Sequence, residues 1–225
     1  MVYLGHNEFE ELEQLEFAGL ASAPVQRTLS HFALFRFVRD RIASYKIGKL
    51  QREHNERIAK DSVPDTSRAW GHQFTPEEIA TRMDTFRKNY ALIIEMCQDR
   101  GVPIVIGSVP SNLWKPSLYG EPGERYEREA IAKFKQGDYA GGLAAGRAIL
   151  RESPRHQSSD AENEVIRGLA EHYKVPLADV EKAVLAAEPH GVPGETLFND
   201  HCHLNNKGND ILIEQYEEQF HTILD

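Results

Sequence analysis

The sequence predicts an α/β fold, and three observations carry that expectation. An amphipathic helical pattern over 76–99 runs directly into Val102–Val109 (VPIVIGSV), a β-branched stretch of the kind that is buried on both faces of a sheet. The chain also opens on a short apolar run, Val2-Tyr3-Leu4, that stops at Gly5. Helical periodicity fills most of the chain between and after these two runs, which is the alternating grammar of a sheet covered by helices.

In order along the chain, residues 9–21 and 27–60 read as helix, with Phe35, Val38, Ile42 and Tyr45 forming an apolar stripe. Residues 36–60 carry eight Lys/Arg against three Asp/Glu, the pattern of a solvated basic face or of a surface for an acidic partner or membrane. Residues 61–73 read as loop. The 76–99 helix has Ile79, Met83, Phe86, Tyr90, Ile93 and Cys97 on one stripe. Thr75, Pro76 and Glu78 supply a capping box and a pre-set first turn, and Gly101 suits the left-handed position after its end. Pro110 ends the following strand. Helices are expected at 124–135, 138–151, 159–173, 177–187 and 206–223. The stretch Gly137–Pro154 (GDYAGGLAAGRAILRESP) is similar to the second half of a tetratricopeptide motif. It has no second copy, so it reads as one helical hairpin rather than a solenoid.

Composition narrows the function. A chain of 225 residues with 40% hydrophobic and 27% charged residues can bury one sizeable core, so a single domain over 1–225 is the expectation. A net charge of −9 opposes phosphate backbones and argues against a nucleic-acid partner. No run of 18 apolar residues suggests a membrane span. Cys97 lies on an apolar helical stripe and reads as a buried thiol.

The densest chemistry is at Asn199–Asn205 (NDHCHLN), and three readings of it stand side by side. His201 and His203 would chelate a metal with Asp200 or the distant His190 if the segment were extended, but the surrounding Asn199, Asp200, Asn205, Asn206 and Gly208 are turn and cap formers. The segment would equally serve as a polar loop in which Asn205 or Asn206 caps the last helix. In the third reading, Asp200 and His203 lie within about 7 Å across a turn, so the carboxylate takes the histidine's Nδ1–H and leaves Nε2 as a general base. Asn7, following a strand through Gly5, then supplies a side-chain N–H to an oxyanion.

Gly5-His6-Asn7-Glu8 after a strand, together with Asp200-x-x-His203 before a helix, resembles the third and fifth blocks of the SGNH/GDSL hydrolases. The stretches SVPSNL (108–113) and HGVPGETLFNDHCHLNNKG (190–208) are similar to a bacterial subgroup of that family often linked to tetratricopeptide repeats. The resemblance implies a three-layer αβα, flavodoxin-like fold, with a helical insertion over about 113–187. It also implies a cofactor-free and metal-free ester hydrolase. In it His203 is the base, Asp200 its orienting partner and Asn7 an oxyanion donor. Gly5, Ser111 and Asn112 are the candidate substrate-binding residues, with Ser111 and Asn112 lining the pocket rim or simply capping the turn, and His201 has no matching role and reads as a satisfied loop histidine.

The family's nucleophilic serine and first strands precede its third block, so the resemblance also implies a domain that begins upstream of Met1. None of the eleven serines sits in a Gly-Asp-Ser or Gly-x-Ser-x-Gly context; Ser108 and Ser111 are the nearest candidates. An open sheet edge, and an apolar face on Val2–Leu4 and VPIVI, would then favour a homo-oligomer or completion by another chain. The ester is not specified, and neither is the compartment. The competing reading is a non-catalytic protein-binding module on the same scaffold that uses the 124–154 hairpin.

Overall fold

The computed structural model describes residues 1–6, 29, 32–38, 41–42, 44–45, 75–118, 120–153 and 157–224. The chain separates into two compact units, Met1–Glu10 with His72–Asp225, and Glu11–Gly71, where composition had suggested one domain. In the second unit residues 33–38, 41–42 and 44–45 are helical, and Val38, Ile42 and Tyr45 of the expected stripe are exposed. The readings for 9–21, for the rest of 27–60 and for 61–73 fall outside the described residues.

The first unit is built on a small parallel sheet. Strand β1 (Ile106–Gly107) pairs with β2 (Leu177–Ala178) in the register Ile106↔Leu177, and Val2 adds a parallel bridge to Ile106. Residues 104–106 alternate in their surroundings as a strand must. Ile104 and Ile106 pack with Phe86, Tyr90 and Ile94 of helix α1 (Pro76–Gln98), and with Val165, Ile166 and Leu169 of the helix that precedes β2. Val105 instead joins Val180 and Val184, which follow β2, and Tyr216 of the last helix. Helices therefore cover both faces of this strand, and Ile104, Val105 and Ile106 are 5%, 0% and 0% exposed. That corrects the expected exposed face on VPIVI for Ile104–Ile106, which helices both before and after the run cover, while Val102 at its start is 51% exposed.

Local sequence sets the helix boundaries. Thr75 accepts from the Glu78 amide while the Glu78 carboxylate accepts from the Thr75 amide, closing the expected capping box. The apolar stripe of α1 is rotated slightly from the expected one, since Ile94 rather than Ile93 is fully buried. Gly101 holds φ +62°, a left-handed turn that suits glycine.

After β1 come α2 (Glu121–Tyr126), a π turn (Glu127–Ile131) and α3 (Ala132–Lys135). Gly137 (φ +84°) turns the chain into α4 (Tyr139–Glu152), whose N-terminus is capped by Asp138. This hairpin has its own core of Tyr126, Ala130, Ile131, Phe134, Ile149 and Leu150. Gly142 and Gly146, one helical turn apart, let α4 approach Phe134 and Tyr126 more closely than any Cβ would allow.

The expected insertion of 113–187 is therefore too long. The hairpin core lies within 113–152 and Val192, whereas α5 (Asp160–Tyr173), β2 and α6 (Val180–Ala187) belong to the two clusters around the sheet. Leu177 and Ala178, expected as helix, are strand, and α6 begins only after Asp179 caps it. The last helix, α7 (Asn206–Leu224), packs Tyr216 beneath the sheet. The Tyr216 hydroxyl donates to the Val2 carbonyl at 2.7 Å and occupies the space that a Cβ at Gly107 would need, so glycine is required there. No described helix is long and apolar enough to cross a membrane.

Candidate functional site

The 199–203 segment is a closed loop. Phe198 and Leu204 form an antiparallel bridge, the Asn199 amide donates to the His203 carbonyl at 2.8 Å, and the Asn205 amide donates to the Leu197 carbonyl at 2.8 Å. Asn205, one of the two expected caps, accepts from the Gly208 amide through Oδ1 and so starts α7 directly after the loop.

Inside the loop Asp200 is the organising group. Its Oδ1 accepts from the amides of Cys202 (2.9 Å) and His203 (2.7 Å), and its Oδ2 lies 2.7 Å from His203 Nδ1. A carboxylate accepts only, so the ring proton sits on Nδ1 and Nε2 carries the lone pair. Partial burial works against the Asp200 charge. The two amides and the His203 ring outweigh that effect and hold the carboxyl well below the usual carboxylate range. The His203 side chain is 75% exposed, so its ring opens outward to solvent.

Asn112 ties this loop to the end of the central strand. Its Nδ2 donates to the Asp200 carbonyl (2.9 Å) and its amide donates to the His201 carbonyl (3.0 Å). Its Oδ1 accepts from the amides of Trp114 and Lys115. Asn112 is 1% exposed and its polar atoms are engaged in these bonds, so it positions the loop. Ser111 is likewise turned inward, with Oγ 2.8 Å from the Ser158 carbonyl and 2.9 Å from Ser158 Oγ. Neither residue is at a rim, because the chain between β1 and Trp114 is held beneath the loop by these bonds. Ser108, the other serine near this strand, is fully buried and bonded to Asp179 at 2.7 Å.

The opening segment reaches the same place. Gly5 is buried beside Val109 and Ser158 with φ +149°, a conformation that favours glycine. Asn7 lies outside the described residues. His6, next to it, accepts from the Ser158 amide at Nδ1 (3.1 Å). Burial, with smaller contributions from His201 and His203, pushes the His6 imidazole down to about 4, and Asp200 acts in the opposite sense. The structure thus brings His6 to the Asp200–His203 pair, although the sequence argument assigned it no part. The only signal was its place between Gly5 and Asn7.

A metal could be held by Asp200, Cys202 and His203, whose ligand atoms lie within 4.8 Å of one another. That set differs from the His201/His203 pair considered from sequence, whose rings sit 6.5 Å apart at 70°. An ion bound by this set would have to replace the bond from His203 Nδ1 to Asp200. His190 stacks on Tyr139 at 4.0 Å.

No family model, curated protein or solved structure matches the chain. The site must therefore be read from its own geometry.

Proposed function

We propose that this chain carries the general-base half of an SGNH-type ester hydrolase, on a three-layer αβα scaffold. The observation that supports it is the Asp200 carboxylate, fixed by two backbone amides and bonded to His203 Nδ1 at 2.7 Å, which leaves Nε2 as an outward-facing base. A carboxylate with both oxygens so committed is an orienting group rather than a surface charge. The helices on both faces of the 104–106 strand support the three-layer reading, and the approach of the Gly5-His6 segment supports the pairing of the two sequence blocks.

In this account His203 Nε2 takes the proton of a serine hydroxyl as that hydroxyl adds to the ester carbonyl. Asp200 stabilises the imidazolium that results, and Asn7 with backbone amides binds the oxyanion. Collapse of the tetrahedral intermediate returns the proton to the departing alkoxide.

The experiment is hydrolysis of p-nitrophenyl acetate by the protein expressed from its natural reading frame, with and without a strong chelator. Turnover that the chelator leaves unchanged is the expected result. Turnover that disappears with the chelator and returns with zinc would assign the site to the Asp200, Cys202 and His203 metal set instead. Absence of turnover would favour the binding-module reading.

A further inference from the structure

His6, beside the site, has a buried ring nitrogen with no hydrogen-bond partner among the described residues. Its Nδ1 accepts the Ser158 amide, and a backbone N–H only donates, so Nδ1 carries the lone pair and Nε2 must carry the proton of the neutral ring. Nε2 is sealed from solvent and has no hydrogen-bond partner among the described residues. A buried donor without an acceptor carries a penalty that natural folds seldom leave in place without a use. The charged groups that act on this ring, His201, His203 and Asp200, all lie in the 200–203 turn.

We propose that His6 is a neutral hydrogen-bond donor of this site, its Nε2–H binding the carbonyl oxygen of an acyl substrate and the oxyanion that forms from it. The inference rests on the hydrolase reading and adds a catalytic contact to it. Two histidines then hold opposite tautomers side by side. His203 keeps its proton on Nδ1, held by Asp200, and offers a lone pair; His6 keeps its proton on Nε2, held by the Ser158 amide, and offers an N–H.

The depressed basicity of His6 fits the role, because a ring that stays neutral near pH 7 gives a donor without adding a second cation beside the imidazolium of His203. Protonation of Nδ1 would also break the Ser158 bond. The same tautomer argument excludes His6 as a metal ligand, since the nitrogen facing away from Ser158 has no lone pair to give. Binding at Nε2 requires a side-chain rearrangement that opens it, a kind of change common on binding.

The test reads His6 without needing turnover. Long-range proton–nitrogen correlation spectra of the histidine rings at neutral pH should show His6 neutral and protonated at Nε2, and titration with acetate, the acid product of the simplest ester, should shift that nitrogen. His6→Asn keeps an oxygen where Nδ1 accepts from Ser158 but places nothing at Nε2. It should bind acetate about 10- to 100-fold more weakly. His6→Gln, which carries an N–H near the Nε2 position, should recover most of that loss, and kcat/KM for p-nitrophenyl acetate should follow the same order.

A His6 ring protonated at Nδ1, a charged ring at neutral pH, or a His6 signal indifferent to acetate would overturn the inference. The two claims fail separately. If acetate binds through His6 while His203→Ala hydrolyses ester at the wild-type rate, the donor stands and the hydrolase reading falls. If His203→Ala is inactive and acetate leaves His6 unmoved, the reverse holds.

Discussion

His203→Ala is expected to abolish ester hydrolysis, with kcat falling on the order of 10⁶-fold, the scale of loss when the histidine of a nucleophile–histidine–carboxylate unit is removed. The size follows from removing the group that takes the serine proton. The ring of His201, the neighbouring imidazole, lies 6.5 Å away and is turned 70° from that of His203. The fold should be untouched, because the His203 side chain is 75% exposed and its structural bonds to the loop are made by the backbone. Equal thermal unfolding of the two proteins, with hydrolysis of p-nitrophenyl acetate lost in one, is the pair of measurements that checks it. A variant that folds and retains full activity would remove His203 from the mechanism.

Asp200→Asn should cost about 10⁴-fold in kcat, through a different route. The asparagine Oδ1 still accepts the Cys202 and His203 amides, so the loop keeps its shape. The other atom of the group is now an N–H₂ facing His203 Nδ1, at the place where Oδ2 sits 2.7 Å away. A donor there forces Nδ1 to accept, moves the ring proton to Nε2, and leaves no lone pair to take the serine proton. Asp200→Ala is the harsher change, because it also strands two loop amides, and it should lower stability as well as activity. Steady-state kinetics beside denaturant titrations of both variants separate the two effects. Equal activity of Asp200→Asn and wild type would show that the carboxylate only shapes the loop.

Much of the architecture was legible where one residue pattern meets one physical demand. The β-branched run at 102–109 could be read as a strand covered on both sides because it has no polar alternation, and Ile104, Val105 and Ile106 are buried among two different sets of helices. The Thr75/Glu78 box is local chemistry that defines the start of α1 as expected, and the Asp138 cap and the Gly137 turn do the same for the start of α4.

β2 was not legible. Val175-Pro176-Leu177-Ala178 is too short to show a period, and what makes it strand is pairing to Ile106, a contact 71 residues away in sequence. The insertion was drawn too long for the same reason, since α5 looks like any amphipathic helix until the sheet it covers is known.

In the site, the i, i+3 spacing of Asp200 and His203 was sufficient to place their bond, because a turn closed by local residues does not depend on the rest of the fold. Ser111 and Asn112 were given to the substrate but are committed to Ser158 and to the loop backbone. His6 was passed over because burial of an imidazole, and the amide that fixes its tautomer, come from residue 158 on a distant segment.

The central claim is that Asp200 holds the proton of His203 on Nδ1 and so makes Nε2 a base. A long-range proton–nitrogen correlation spectrum of the His203 ring at mildly alkaline pH tests it directly, on the chain as it stands and without any substrate. The account requires the Nδ1–H tautomer, with its proton shifted downfield by the carboxylate and returned to an ordinary position in Asp200→Ala. A ring protonated at Nε2, or one exchanging freely between tautomers as a solvated histidine does, would contradict it.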